Sequence, residues 1–333
     1  MGVKLSGLVE KKDLKWEQME GKKLAIDASN VLFQFLSSIR QKDGTLLMDE
    51  EGNVTSHLVG LFSRVPNLMQ KEIQPVFVFD GEAPALKEKV RVLRHQRKEK
   101  AREKYARAAL EEEEEEMGKY ARQFSWVNSQ MFDESKLLLQ ALGLPVIQAP
   151  SEAEAQCAYM AKKKVVWAAA SQDYDSLLFG APRLILNLTL SQKRKVAGGK
   201  QVYISPYLIE LDSVLEKLHL TQDQLIVLGI LIGTDYNPGG VPGIGPKKAL
   251  KLVQSEKSFE KIFSSFSVDF DWKEIFDTFK DIPVNDVSLK FGALDEEKVK
   301  ELLVEQHDFS MDRVESTLEK LRKGGGQTLK KWF

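Results

Sequence analysis

The sequence is poor in the residues that staple a fold, anchor it in a membrane or do chemistry alone. One cysteine, Cys157, in 333 residues excludes an internal disulfide framework and suits a reducing compartment. It falls on the apolar side of a predicted helix, where a thiol packs rather than reacts. The four histidines, His57, His95, His219 and His307, are scattered; their spacing offers no zinc set and argues against histidine acid–base chemistry. No apolar run is long enough to span a bilayer, and Met1-Gly2-Val3-Lys4-Leu5 lacks the apolar core of a secretory signal. The expectation is a cytoplasmic protein with no membrane partner. Net charge is also scarce, at −1, so charge has to be read segment by segment.

What remains is 43% hydrophobic and 29% charged, the composition of a soluble globular protein with one large domain or two closely joined ones. The organising stretch runs from Ala149 to Asp175. It begins Ala149-Pro150-Ser151-Glu152-Ala153-Glu154-Ala155-Gln156, passes through the apolar run Val165 to Ala170, and ends Ser171-Gln172-Asp173-Tyr174-Asp175. Ser151 with Glu154 reads as a capping box. That reading leaves Glu152, Asp173 and Asp175 unexplained. Two further apolar runs end in an acid: Lys22 to Ile26 leads to Asp27, and Pro75 to Phe79 leads to Asp80. Strands alternating with helices predict an α/β fold with a mainly parallel, twisted central sheet flanked by helices. All three acidic tips then fall on one edge, where such sheets bind ligands. Acids crowded together repel unless protonated or neutralised, and a hard divalent metal neutralises them economically.

Between Lys87 and Arg107 ten basic residues face three acidic ones, and Glu111 to Glu116 follow as an acidic run. A solvated helix laced with ion pairs accounts for many such segments. This basic half is too lopsided to pair with itself, and Lys87 and Arg94 share one helical face. A positive helix beside an acidic metal site suits a phosphate polymer passing between them. The loop 192–200 carries Lys193, Arg194 and Lys195, which reads as a phosphate contact or a solubilising hairpin tip. A hydrophobic helix over 225–232 is predicted to end at Gly233-Thr234-Asp235. The glycine hairpin beyond it, with Gly243, Gly245, Lys247 and Lys248, offers backbone N–H groups and charge to phosphate. After Ser255 the spacing is helical, with Trp272, Phe276 and Phe279 as core. Three glycines, Gly324 to Gly326, then form a flexible tether before Gln327, Leu329, Trp332 and Phe333, whose aromatics suit a partner's apolar pocket.

Taken together, Ile26-Asp27-Ala28-Ser29, Val78-Phe79-Asp80-Gly81, Ala149 to Ala155, Ala170 to Asp175 and Gly233-Thr234-Asp235-Tyr236 with its glycine hairpin resemble the flap endonuclease family of archaeal type. The likeness spans Met1 to Phe333. It implies a PIN-like nuclease core with a helical arch insertion and a helix–hairpin–helix element. The chain then divides into a single nuclease domain, 1–322 (N-terminal region to about 98, arch about 82–130, internal region about 131–257 with the hairpin element from about 225, C-terminal helices 258–322), and a clamp-binding tail, 323–333. The resemblance implies that Asp27, Asp80, Glu152, Glu154, Asp173, Asp175 and Asp235 bind metal, and that Lys87 and Arg94 contact the scissile phosphate. Phe33 stands where relatives stack an aromatic on DNA.

The implied activity is structure-specific 5′ flap endonuclease with 5′–3′ exonuclease, serving Okazaki fragment processing and repair. It would use two Mg²⁺, with Mn²⁺ as a substitute and K⁺ at the hairpin. Implied partners are flapped or branched DNA and the sliding clamp PCNA, with the chain a monomer in the archaeal nucleoid (or a nucleus, if eukaryotic). The family glutamine of the clamp motif falls at Gly326, one place before Gln327. A related exonuclease or junction resolvase, and a non-catalytic DNA-binding scaffold, are the alternatives. A degenerate scaffold would have lost acids, and none of the seven is lost.

Overall fold

The computed structural model describes the chain except residue 1, positions 89, 91, 93–95, 97, 98, 101 and 102, and the stretches 105–126, 189–192, 196–200, 204 and 329–333; for 193–195, 201–203 and 324–328 it describes the backbone. Nine strands form two sheets among these residues. A short edge strand β1 (Lys12–Asp13) precedes β2 (Lys23–Asp27) and helix α1 (Ala28–Ser38); α2 (Ser56–Gln70) leads to β3 (Gln74–Phe79). Then follow α3 (Ser129–Ala141), β4 (Val146–Gln148), α4 (Ala153–Lys162), β5 (Ala168–Ala170), a one-turn α5 (Asp175–Leu178) and β6 (Arg183–Leu186). Strands β7 (Lys193–Lys195) and β8 (Gln201–Tyr203) make a separate antiparallel pair, and β9 (Tyr207–Glu210) returns to the main sheet.

The main sheet has the order β1-β9-β6-β5-β2-β3-β4, and β6, β5, β2, β3 and β4 are mutually parallel. Only β9 runs against them, so its pairings with β6 and with the edge strand β1 are antiparallel. The chain leaves β2 towards β3 on one side, and later returns to place β5 on the other. The crevice between the carboxyl ends of β2 and β5 is therefore the switch point at which open α/β sheets hold ligands.

Parallel strands need cover on both faces, and alternation along each strand provides it. Ala25, Val76, Val78 and Ala169 face one core; Leu24, Ile26, Phe77, Phe79, Ala168 and Ala170 face the other. Phe77 and Phe79 are buried, each contributing roughly 1.5–3 kcal/mol. On the first face, Ala153, Ala158 and Ala161 of α4 join the same core as Ala169, so small residues on both sides let helix and strand approach closely. That face is completed by α6 (Leu211–Leu218), α7 (Gln222–Ile232), α8 (Pro246–Ser255), α9 (Phe259–Ser264) and α10 (Trp272–Asp281). Helices α1, α2 and α3 cover the other, together with α11 (Glu296–Lys300), its π-helical continuation (Glu301–Glu305) and α12 (Met311–Thr328).

Three expectations change. The basic stretch Lys193 to Lys195 is a strand paired with β8, Lys193 opposite Tyr203, rather than part of a loop. Residues 282–295, expected to be helical, form neither helix nor strand. The buried Gln156 side chain holds this strap through both groups of Asn285, with Nε2 to the carbonyl at 2.8 Å and Oε1 from the N–H at 2.9 Å. Further along, the Gly292 N–H donates to the Gly143 carbonyl at 2.8 Å; Gly143 has φ +77°, and a Cβ there would lie 2.2 Å from the Gly292 oxygen. Finally, α12 continues through Gly324 to Gly326 where a tether was expected, its weakest turns since each glycine costs about 1 kcal/mol in a helix. The candidates Leu329, Trp332 and Phe333 lie outside the described residues. Of the core aromatics expected, Phe279 is buried, while Trp272 and Phe276 are partly covered and pack against the same core. Among the described residues no helix is long and apolar enough to cross a membrane.

Candidate active site

Parallel strands bring the acids to one rim. Asp27 is the last residue of β2 and the cap of α1, its Oδ1 accepting the Asn30 N–H at 3.0 Å. Asp80 follows β3, and its Oδ1 accepts the N–H of Ala153, the first residue of α4, at 2.8 Å. The capping box expected from Ser151 and Glu154 does not form. Glu152 stands at the cap position but its side chain makes no capping bond, and the Ser151 hydroxyl donates to the Glu82 carbonyl instead. An acid from a neighbouring strand caps the helix, which leaves Glu154 to accept the Ser171 hydroxyl at 2.7 Å.

Beyond β5, Asp173 is held at both oxygens: Oδ1 accepts the Gly2 N–H at 3.2 Å and Oδ2 the Asn30 Nδ2 at 3.1 Å. Asp175 opens α5 and accepts the Val3 N–H at 2.7 Å. The start of the chain thus lies against the acids. At Gly2 a Cβ would fall 2.8 Å from the Asp173 Cβ and 2.9 Å from the Asp175 Cγ, so only glycine lets the backbone pass there. Lys87, at the end of a 3₁₀ turn (Ala85–Lys87), reaches in from the far side. Its Nζ lies 2.7 Å from Glu152 Oε1 and 3.7 Å from Asp235 Oδ2, and 5.4 Å from the centre of the Tyr236 ring.

The electrostatics show how short of positive charge this rim is. Burial, then Asp80, pushes Asp27 well above the usual carboxylate range. Burial, then Asp175 and Asp173, does the same to Glu154. Asp175 is pushed up to about 7 by burial and by Asp235, and burial raises Glu152 despite Lys87. Burial opposes the charge on Lys87, yet Glu152 and Asp235 outweigh it and push the ammonium up to about 12. Burial and Glu152 also raise the Tyr236 phenol. The acids are gathered but not closed on a point: among the described residues no three His, Cys, Asp or Glu side chains are placed to grip one ion. Without a cation, like charges turn to separate donors. An all-oxygen, under-neutralised donor set fits hard divalent ions that keep part of their water.

Other candidates stand apart from the rim. Phe33 is 41% exposed on α1, the helix that Asp27 caps. Gly243 (φ +77°) and Gly245 lie in the hairpin between α7 and α8, and Lys247 and Lys248 are exposed in the first turn of α8. The Lys248 ammonium donates to the Gly243 carbonyl at 3.2 Å, so two candidates for outside ligands engage each other. Arg94 and most of the segment read as an arch lie outside the described residues, and of Lys193, Arg194, Lys195 and Gln327 the backbone alone is described.

Sequence reasoning missed Asn30, Ser171 and the Gly2–Val3 backbone, because hydrogen bonds to acids 143, 17, 171 and 172 positions away leave no local pattern. It also missed a second buried polar group. His57 Nε2 lies 2.8 Å from Glu134 Oε2, and His307 joins Asp49 Oδ2 at 2.8 Å and Glu134 Oε1 at 3.4 Å. Gln130 and Asn53 donate to the same two acids. Two of the four scattered histidines therefore meet, away from the rim acids.

Comparison with known proteins follows the same outline. Residues 1–101 match the XPG N-terminal domain and 143–235 the XPG I-region. The chain is 50% identical over 340 residues to flap endonuclease 1 of Pyrococcus furiosus, covering 100% of this chain and 99% of that one. The solved flap endonuclease-1 of Methanococcus jannaschii superposes with a TM-score of 0.77 at 41% identity, over 97% of this chain and 98% of that one. The catalytic core of Rad2 in complex with a DNA substrate superposes with a TM-score of 0.68 at 25% identity, over 94% and 96%.

Proposed function

The chain belongs to the flap endonuclease family, and from that premise we propose how its rim of acids serves the family's reaction. It is a structure-specific flap endonuclease, a DNA-binding hydrolase that depends on divalent metal ions. Our reading is that Asp27, Asp80, Glu152, Glu154, Asp173, Asp175 and Asp235 hold two Mg²⁺, with Mn²⁺ able to substitute. The observation that carries it is the convergence of Asp27, Asp80 and Asp173 from the ends of three parallel strands, with too few cations among the described residues to neutralise them.

Bound there, divalent ions supply Lewis-acid stabilisation and lower the pKa of water. Asp80, Glu154 and Asp173 are the acids we assign to direct contact, with Asp27 and Glu152 orienting water. Lys87 already reaches across the rim to Glu152 and Asp235, so it can meet charge that develops on a phosphate placed over the acids. Arg94 is its partner by sequence. Phe33 would stack a base and Lys193 to Lys195 would touch backbone phosphate. The hairpin at Gly243 and Gly245, with Lys247 and Lys248, would grip duplex and hold K⁺. The tail through Gln327, Leu329, Trp332 and Phe333 would engage a PCNA-type clamp, the chain acting as a cytoplasmic monomer built from one nuclease domain.

A rate comparison among a 5′ flap, a nicked duplex and a four-way junction tests the substrate. The flap should be cut fastest; preference for the four-way junction would support the junction-resolvase reading.

A further inference from the structure

We propose that Asn30, with Gln34 one turn behind it, is a positioning residue for the Asp173 carboxylate; the inference rests on the metal-centre reading above. Asp173 sits among Asp27, Glu154 and Asp175, and repulsion among like charges would turn its carboxylate wherever a donor allows. Two donors fix it, the Gly2 N–H at Oδ1 and the Asn30 amide at Oδ2. The Asn30 backbone N–H meanwhile caps α1 onto Asp27. One residue therefore ties the acid ending β2 to the acid beyond β5, across the switch point of the sheet.

An asparagine amide can present either its oxygen or its NH₂, and only the NH₂ attracts a carboxylate. The acceptor-only Asp173 carboxylate draws that NH₂, and Gln34 supports the arrangement. The Gln34 Nε2 donates to Asn30 Oδ1 at 2.7 Å, so the oxygen is engaged away from Asp173 and Nδ2 is left to face it. With Ile26, Val31, Ala170 and Leu188, Gln34 lines a cavity of about 10 Å³, and its Oε1 is buried there without a hydrogen-bond partner among the described residues. Along Gln34–Asn30–Asp173 each amide thus donates towards the carboxylate, and the Asn30 NH₂ holds Oδ2 in place. Partners of this kind typically change metal affinity or activity about 10–100-fold when removed.

The test is Mn²⁺ titration of the metal-free full-length chain, with free Mn²⁺ read by electron paramagnetic resonance and melting followed in parallel. Asn30→Leu should weaken Mn²⁺ binding by about 10–100-fold, and Gln34→Met by a smaller factor, within about tenfold. On a flap substrate kcat should fall while KM for DNA holds. Should Asn30→Leu fail to fold, Gln34→Met, on a half-exposed part of α1, carries the test alone. The proposal is overturned if folded variants bind Mn²⁺ like the wild type while Asp173→Asn does not, since a purely structural role moves melting and leaves affinity alone. If Asp173→Asn also binds Mn²⁺ unchanged, the metal-centre reading falls and takes this one with it.

Discussion

Two sets of buried acids in this chain meet opposite surroundings. Burial works against the charge on Glu134 and Asp49, but His57 and Gln130 on one side, and His307 and Asn53 on the other, hold both below the usual carboxylate range. At the rim, burial works the same way, and the nearest neighbours are further acids. Asp27, Glu154 and Asp175 are pushed up, with Lys87, among the described residues, the cation that reaches among them. Burial is common to both; the supply of internal partners is not. Acids saturated from within the chain hold α2, α3, the 49–53 turn and the His307 loop together. Acids left short of positive charge are arranged for a cation from outside.

The contrast can be broken most sharply at the rim. Asp173→Asn should slow flap cleavage on the order of 10³-fold while flap affinity changes little, as single-turnover rates beside a binding isotherm would show. Lys87→Met comes next, with an expected loss of about 10²-fold in rate and only a small loss in affinity. If this variant cuts normally, the lysine is merely a counter-ion for Glu152 and Asp235. The smallest catalytic effect belongs to the other cluster. Glu134→Leu strips His57 and Gln130 of their acceptor and should lower stability to urea by about 1–3 kcal/mol, leaving cleavage by the folded enzyme intact. A Glu134→Leu protein that melts normally but cannot cut would erase the distinction between the two clusters.

The rim was legible because its signal is local. Asp27, Asp80 and Asp173 each follow a short apolar run, and period and length suffice to place them at strand ends. The role of Glu154 was not, because Asp80, from a different strand, takes the Ala153 N–H that the capping-box reading gave to the helix's own residues. The strap at 282–295 was misread as helix although Val287, Leu289 and Phe291 alternate and pack against the core; its anchors, Gln156 and Gly143, lie far back in the chain. Strands β1 and β9 are too short to show a period and exist because they pair. The meeting of His57 and His307 at Glu134 joins three elements, so no spacing could announce it.

The account turns on rim acids that lack their counter-charge, and melting of the chain from pH 5 to 8, first with chelator and then with excess Mg²⁺, addresses it directly. An acid whose folded pKa is raised contributes stability that is complete below its unfolded value of 3.8 and lost as pH rises through the folded one, about 7 for Asp175. With chelator the melting temperature should therefore fall as pH rises from 5 towards 7 and level off above it, and with Mg²⁺ that fall should disappear. Superimposable curves would contradict the account.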